Sequence, residues 1–269
     1  MVDEGALPDP LKSPPIDSPV FGDWRVATTG WAQFTGSDGQ PAASAFHQVT
    51  VSKTPSRTVQ FVTPSATAMH LNAAWRQAKV AVALKAAVQW NTWKPGVMHT
   101  ILDVPVDRVP ALFDYFETTM TTAMLSFAAI EAFCNSTLFE RVGQPIKLKR
   151  GKGANQVEVQ MTAEDLERNV STDEKLKRII PDLLGIATPS GKAVWERYAK
   201  LKDLRDSVTH FKRKDQAKHA EKSHEPTALY AMTQLDPLTL PETATEVVGY
   251  FYEADQRPRW FQNPEWRRL

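Results

Sequence analysis

Five polar side chains of useful chemistry lie close together near the end of one amphipathic segment, Lys192 to Phe211. An α-helix there, turning about 100° per residue, places all five within a single arc. They are Lys202, Arg205, Asp206, Thr209 and His210. The opposite face is apolar and predicts packing against the protein. Its members are Leu201, Leu204, Val208 and Phe211.

Arg205 and His210 are the candidate catalytic residues of this face. RNA carries its own nucleophile, the 2′-hydroxyl, and an imidazole with a pKa of about 6.5 can take or return that proton at neutral pH. A guanidinium binds two phosphate oxygens at once and stabilises the charge that develops on them. The pair therefore suits metal-independent RNA cleavage to a 2′,3′-cyclic phosphate and a 5′-hydroxyl. Asp206, four residues before His210, is a candidate to orient the imidazole, and Thr209 is a supporting residue.

The spacing of the pair carries little information alone, because Arg213 and His219 fit the same loose pattern in the basic stretch that follows. A surface Asp–His contact beside an unrelated surface arginine therefore stays open as the alternative. Context favours the first pair, since it lies on the polar face of a well-patterned helix. Further basic residues follow it and are expected to hold the RNA backbone electrostatically. They are Lys212, Arg213 and Lys214.

A second group of polar residues lies in a long apolar helix predicted from Leu112 to about Arg141. Glu131 and Asn135 are four apart and share one face of it. An acid in so apolar a stretch is costly unless it is paired. Two interpretations stay open: Glu131 bridges to a neighbouring helix, or it holds a cation such as Arg205 in the site.

The carboxy-terminal half resembles a HEPN domain. The stretch from Ser126 to Asn135 resembles the long early helix of that family, with Glu followed by Asn four residues later. The stretch from Trp195 to His210 resembles the family's signature helix, in which Arg precedes a polar residue and then His. The resemblance covers roughly Leu112 to Glu253 and leaves residues 1–105 without an assignment.

The resemblance implies a homodimer whose two Arg-x4-His faces meet in one cleft. It also implies a metal-independent endoribonuclease with a toxin or phage-defence role, controlled by an antitoxin or another regulatory protein. Arg205 and His210 would be catalytic, and Glu131 and Asn135 would position Arg205 from the facing helix. A non-catalytic HEPN-type adaptor, or an RNA- or nucleotide-binding module, is the alternative. A purely structural protein that uses its aromatic tail as a contact surface is a third interpretation.

The composition bounds other functions. The formal net charge of +1 gives no global attraction to nucleic acid or anionic membranes, so such binding requires local patches. A single cysteine, Cys134, excludes an internal disulfide and a Cys-rich zinc site, and it favours a cytoplasmic location. The six histidines have no metal-ligand spacing, and no phosphate-binding or dinucleotide-binding glycine motif is present, so we expect neither metal nor cofactor. The apolar stretch from Met120 to Phe139 is interpreted as a buried helix of a soluble bundle.

The predicted fold class is α+β, with a small β-containing amino-terminal region before a HEPN-like antiparallel helical bundle. Residues 1–20 are an expected disordered or extended leader, residues 21–110 are β-rich and then helical, residues 111–256 form the helical domain, and residues 257–269 are an aromatic and basic tail.

Several local features are also predicted. Short strands are expected at Trp24–Ala27, Gly30–Phe34, Gln48–Val51 and Thr58–Val62, a helix at 66–92, and a strand within 97–104. A hairpin inserted at 145–161 is either a solvated surface or an arm that contacts phosphate. Ser171 to Glu174 has the sequence of a capping box that opens a helix to Ile180, where Pro181 and Gly185 are expected to interrupt it. Ser190 or Thr188 is expected to cap the signature helix. The tail tryptophans are expected to dock on the body of the protein or on a partner.

Overall fold

The computed structural model describes residues 23–35, 37, 39, 41–93, 101–151, 156–210, 227–253, 257–263 and 265–266. For residues 28–34, 41–47, 91–93 and 101–103 it describes the backbone alone. The expected leader, residues 1–20, lies outside this part of the chain, as does the basic stretch after His210.

Two antiparallel hairpins begin the described chain. β1 (Thr28–Thr35) pairs with β2 (Pro41–His47), and β3 (Val49–Thr54) pairs with β4 (Arg57–Val62). Aromatic and β-branched residues predicted three of these strands. The strand β2 was missed because proline, alanine and serine dominate it and have low β propensity.

The run Trp24 to Ala27 forms a turn and a single bridge, between Val26 and Pro64, and the prediction of a full strand there is wrong. The cause is local, because the Asp23 carboxylate accepts hydrogen bonds from the backbone and the guanidinium of Arg25 and folds the chain back. Such side-chain to backbone bonds compete with strand pairing.

The helix α1 (Ala66–Ala87) begins at Ser65, whose hydroxyl accepts a hydrogen bond from the Ala68 amide, 3.3 Å. It ends earlier than residue 92, and the chain turns at Gln89, which has a φ of 50°. The short strands β5 (Asn91–Trp93) and β6 (Ile101–Asp103) then pair antiparallel.

The helix α2 (Val109–Arg141) is the central element, and α1 packs along it. Pro110 lies in the first turn, where a missing amide hydrogen costs nothing because no intrahelical acceptor exists for it. Buried alanines of α1 allow the two helices to approach closely. The core shared by the helices includes Leu71, Trp75, Phe127, Ile130, Phe133, Leu138, Tyr198, Leu201 and Val248.

The predicted hairpin is present as β7 (Ile146–Arg150) and β8 (Val157–Met161), which pair antiparallel. Leu148 and Met161 are buried beneath it. The basic residues of β7 are largely paired: Lys147 lies 3.4 Å from Glu158, and Arg150 lies 2.8 Å from Glu174. These ion pairs favour the interpretation of the hairpin as a solvated surface over that of an arm that contacts phosphate. Lys152, in its turn, lies outside the described residues.

The helix α3 (Ala163–Asn169) comes next. After two residues, three helical segments form one continuous stretch: α4 (Thr172–Glu174), a π-helical turn (Lys175–Ile179) and α5 (Ile180–Leu184). The Ser171 hydroxyl caps α4 as predicted, but Glu174 reaches Arg150 and Arg178 instead of closing a capping box. A complete capping box occurs one helix earlier, between Thr162 and Asp165.

The prediction that the helix ends at Ile180, before Pro181, is wrong, but the predicted break at Gly185 is confirmed. The helix continues to Leu184, and Gly185 ends it with a left-handed φ of 68°. The preceding π turn bonds the Ile180 amide to the Lys175 carbonyl, five residues back. This wider turn relieves the usual clash of a proline ring with the preceding turn.

The signature helix is α6 (Ala193–Thr209), with His210 at its carboxy-terminal cap. Its amino-terminal cap is Lys192 and no side chain bonds there, so the prediction of Ser190 or Thr188 as the cap is wrong. Leu201 and Val208 are buried as predicted, and Phe211 lies outside the described residues. α7 (Ala228–Gln234) and α8 (Thr239–Gly249) follow, and α8 packs on α1, α2 and α6.

The chain is therefore an α+β protein, with small antiparallel hairpins attached to a helical core. Among the described residues one stretch, Val106–Arg141, is long and apolar enough to cross a membrane. Its most apolar part is 56% buried within the protein, as in a helix at the core of a bundle.

Candidate functional site

An open pocket of about 470 Å³ lies between α2, α6 and the segment 167–175 that joins α3 to the π turn. α2 contributes Phe127, Glu131 and Asn135 to its wall, and α6 contributes Lys202 and Arg205. The pocket thus brings together residues that lie some seventy positions apart in the sequence. Its lining mixes acids, bases and one aromatic ring.

Arg205 is held from three sides. Its guanidinium lies over the ring of Phe127, 3.8 Å from the ring centroid, and one terminal nitrogen forms an ion pair with Asp206 at 2.8 Å. The other terminal nitrogen lies 3.7 Å from Glu131, too far for a hydrogen bond. The buried Nε has no hydrogen-bond partner. The guanidinium is therefore oriented while part of its donor capacity stays unused.

Glu131 connects three elements. Its carboxylate lies beside Arg205 on α6 and also accepts a hydrogen bond from the Thr172 hydroxyl on α4, at 3.3 Å. Both interpretations made from the sequence describe this residue, because it bridges neighbouring helices and pairs with Arg205 in the pocket.

Asp173 on α4 forms a second link to α6. It accepts hydrogen bonds from the Tyr198 hydroxyl at 2.7 Å and from the Lys202 ammonium at 2.8 Å. Burial raises the pKa of the Asp173 carboxyl, but the bonds from Lys202 and Tyr198 outweigh it, so the pKa lies below the usual 3.8. Burial, with the bond to Asp173, raises the pKa of Tyr198, so the phenol stays neutral and donates a hydrogen bond to Asp173. This network fixes the rim of the pocket to α6.

Lys175 is the residue that the sequence did not single out. Only 4% of it is exposed, and its ammonium donates to Asn135 Oδ1 and to the Glu167 carbonyl, both at 2.9 Å. Burial lowers the pKa of Lys175 below the usual 10.5. It opens the π turn, a rare helical form that is enriched at functional sites.

The signals for these missed residues were weak. Lys175, Lys177 and Arg178 look alike in sequence, and only the tertiary packing buries the first of them. Phe127 and Tyr198 are recognisable as apolar core residues, and they do stack in the core with ring centroids 6.0 Å apart. Their contacts with Arg205 and Asp173 depend on the crossing of α2 and α6.

His210 lies outside the pocket lining. It is exposed, and its backbone amide donates to the Asp206 carbonyl at 3.0 Å. That Asp206 orients the imidazole stays a prediction: in this structure the Asp206 carboxylate pairs with the adjacent Arg205, 2.8 Å away. Thr209 donates its hydroxyl proton to the Arg205 carbonyl and is exposed. The structure thus brings together Arg205, Glu131 and Asn135, with His210 separate.

The remaining predicted site residues, Lys212, Arg213 and Lys214, lie outside the described residues. Within the described ranges no group of three or more His, Cys, Asp or Glu side chains is placed to hold a metal ion. Cys134 is fully buried on α2, and burial raises the pKa of its thiol, so the thiol is an inert core group.

Fold and site together define an α+β protein with a helical core and a charged, cleft-like pocket between two long helices. No family model, no curated protein and no solved structure matches the chain. The resemblance to HEPN domains therefore rests on the residues quoted from the sequence.

Proposed function

We propose that the protein is a metal-independent endoribonuclease of HEPN type. The observation that carries the proposal is the placement of Arg205 at the pocket, lying on Phe127 and paired with Glu131 from the facing helix. A fixed guanidinium with unused donors suits a phosphate oxygen whose charge grows during the reaction. His210 lies one helical turn further along the chain, exposed and able to exchange a proton with the 2′-hydroxyl.

The proposal includes a homodimer, because in a single chain His210 stands outside the pocket. A stripe of α2 carries exposed apolar residues on the same face as Glu131. Phe113 is 57% exposed and Met124 is 51% exposed. Apolar side chains in line with a polar site are typical of a surface that a partner covers. A second copy packed there would bring two α6 ends towards one cleft.

The finer features of the resemblance belong to the same proposal. α2, α6 and α8 form the HEPN-like antiparallel bundle, and β7–β8 is its insertion. Lys212, Arg213 and Lys214 bind the RNA backbone. Cytoplasmic location, a toxin or phage-defence role and an antitoxin or other regulatory protein partner are expectations from the resemblance and composition.

The direct test is cleavage of RNA in EDTA by the wild type and by His210→Ala. Loss of a general base lowers the rate by about a hundredfold or more. His70→Ala is the matched control, because His70 lies on α1 away from the pocket. We expect a 2′,3′-cyclic phosphate product from the wild type and the control. Equal cleavage by the wild type and His210→Ala, or cleavage of no RNA by either, contradicts the proposal.

One observation favours a second candidate, a non-catalytic HEPN-type dimer that binds RNA or a nucleotide. Asp206 binds Arg205, and no described residue hydrogen-bonds to the His210 imidazole, so a general base is not positioned within one chain. This candidate predicts salt-dependent binding that Arg205→Ala weakens, with no product under any condition. The burial of Trp260 and Trp266, which are 5% and 7% exposed, weighs against the structural protein that uses its aromatic tail as a contact surface.

A further inference from the structure

Lys175 is a buried cation that no described carboxylate contacts directly, although the charges of Glu167 and Glu131 act on it from further away. It is 4% exposed, and no described Asp or Glu oxygen lies within the 4.0 Å of an ion pair. The other cations that α6 contributes to the pocket do have such partners: Lys202 pairs with Asp173, and Arg205 pairs with Asp206. Taking an ammonium out of water is costly unless opposite charge or full hydrogen bonding compensates it.

The hydrogen bonds of Lys175 satisfy it only in part. An ammonium has three donors, and two of them go to neutral acceptors, Asn135 Oδ1 and the Glu167 carbonyl, at 2.9 Å each. The third donor has no acceptor among the described residues. Lys175 is also part of the pocket lining, so an incoming anion can supply both the third acceptor and a negative charge in direct contact.

The surroundings select the class of ligand. Arg205 stands in the same lining with a terminal nitrogen that is close to Glu131 but not hydrogen-bonded to it, at 3.7 Å. Two cations facing one space fit the several oxygens of a phosphate better than one carboxylate. The pocket of about 470 Å³ also holds more than a phosphate. The carboxylates of Glu131 and Asp173 are acceptors for hydroxyl groups, which a ribose attached to the phosphate provides.

We propose that this pocket is a binding site for the phosphate group of a ribonucleotide, with Lys175 as its buried contact and Arg205 as its second contact. The inference deepens the proposed function, because it assigns one phosphate position in that site. It makes Lys175 a substrate-binding residue, whereas Asn135 and the Glu167 carbonyl hold its ammonium in place. Phosphate binding here needs no cleavage and no His210.

The experiment is titration of the full chain with inorganic phosphate, a ribonucleoside monophosphate and a short RNA made uncleavable by 2′-deoxy substitution, followed by calorimetry or ³¹P NMR. Lys175→Met removes the charge and keeps the length of the side chain. Lys177→Met is the matched control, since Lys177 lies two residues away and points over Trp195, 4.3 Å from the ring centroid. We expect binding to weaken about tenfold or more in Lys175→Met and to change little in Lys177→Met.

His210→Ala separates this inference from the proposed function, because it should bind phosphate like the wild type even if cleavage is lost. Binding of the monophosphate indicates a terminal phosphate as ligand, and binding of the oligonucleotide alone indicates an internal phosphodiester. Lys175→Gln provides a second variant if the methionine variant does not fold, and it should show the same loss. Equal binding by wild type and a folded Lys175 variant, or no binding of any probe by the wild type, overturns the inference whatever RNA cleavage shows.

Discussion

At the scale of single residues, the pocket is held together by charges placed on different helices. Glu131 from α2 meets Arg205 from α6, and Asp173 from α4 meets Lys202. The first pair is one of the two interpretations that the sequence left open, because an acid in an apolar helix needs a partner and the polar face of α6 offers a cation. Lys175 does not follow from sequence, because its burial depends on the π turn and on the packing of α3. Periodicity at 3.6 residues per turn cannot reveal either.

Asp173 makes the stability of this arrangement depend on pH. Its native pKa lies below the unfolded value of 3.8, so its contribution is fully present above that value and is lost as pH falls through the native pKa. Asp173→Asn should lower the free energy of unfolding by about 1 kcal/mol near neutral pH, because the pair with Lys202 is only partly buried. The difference from wild type should shrink below about pH 4, as measured by urea unfolding at several pH values. The control is Asp203→Asn, on the exposed face of α6. If the difference in the free energy of unfolding between wild type and Asp173→Asn grows in acid, the prediction is contradicted.

At the scale of elements, the long helices were predictable and the short connections were not. The apolar pattern located α2 and α6 to within a few residues, because each must bury one face. Prolines were harder to interpret: Pro110 starts α2, and Pro181 lies inside a continuing helix because a π turn precedes it. The sequence pattern does not show that a π turn will form before Pro181 and make room for its ring.

The exposed stripe of α2 gives the test of the dimer. Met124→Glu places a charge in the proposed interface, and a buried unpaired carboxylate strongly opposes association. We expect a monomer by light scattering and a matching loss of RNA cleavage. Met69→Glu is the control, because Met69 is 48% exposed on α1 and Met124 is 51% exposed on α2. A wild type that is monomeric at working concentration, or a Met124→Glu variant that stays dimeric, contradicts this interface.

At the scale of the whole molecule, the two ends of the described chain meet on one core. The expectation that the tail docks on the body is confirmed: Trp266 packs edge-on against Trp24, with ring centroids 5.5 Å apart, and its indole donates to Asn72 on α1 at 3.5 Å. α1, assigned from the sequence to the amino-terminal region, shares the core of α2 and α8. The sequence indicated that the tail tryptophans should be buried. It could not show which residues bury them, because those residues are distant along the chain and come together only in the tertiary structure.

The contact between Trp24 and Trp266 predicts that the chain ends stabilise each other. Trp266→Ala removes a buried ring and should cost about 3 kcal/mol or more in the free energy of unfolding. Combined with Trp24→Ala, the loss should be smaller than the sum of the single losses by about 1 kcal/mol, the coupling of an edge-to-face aromatic pair. Urea unfolding of the four proteins in this cycle measures the coupling.

A control cycle uses Trp195, which contacts Tyr198 on α6 instead. Trp195→Ala combined with Trp266→Ala should be additive within about 0.5 kcal/mol. Additivity of Trp24 with Trp266 would mean that the amino-terminal turn and the tail rest on the core independently.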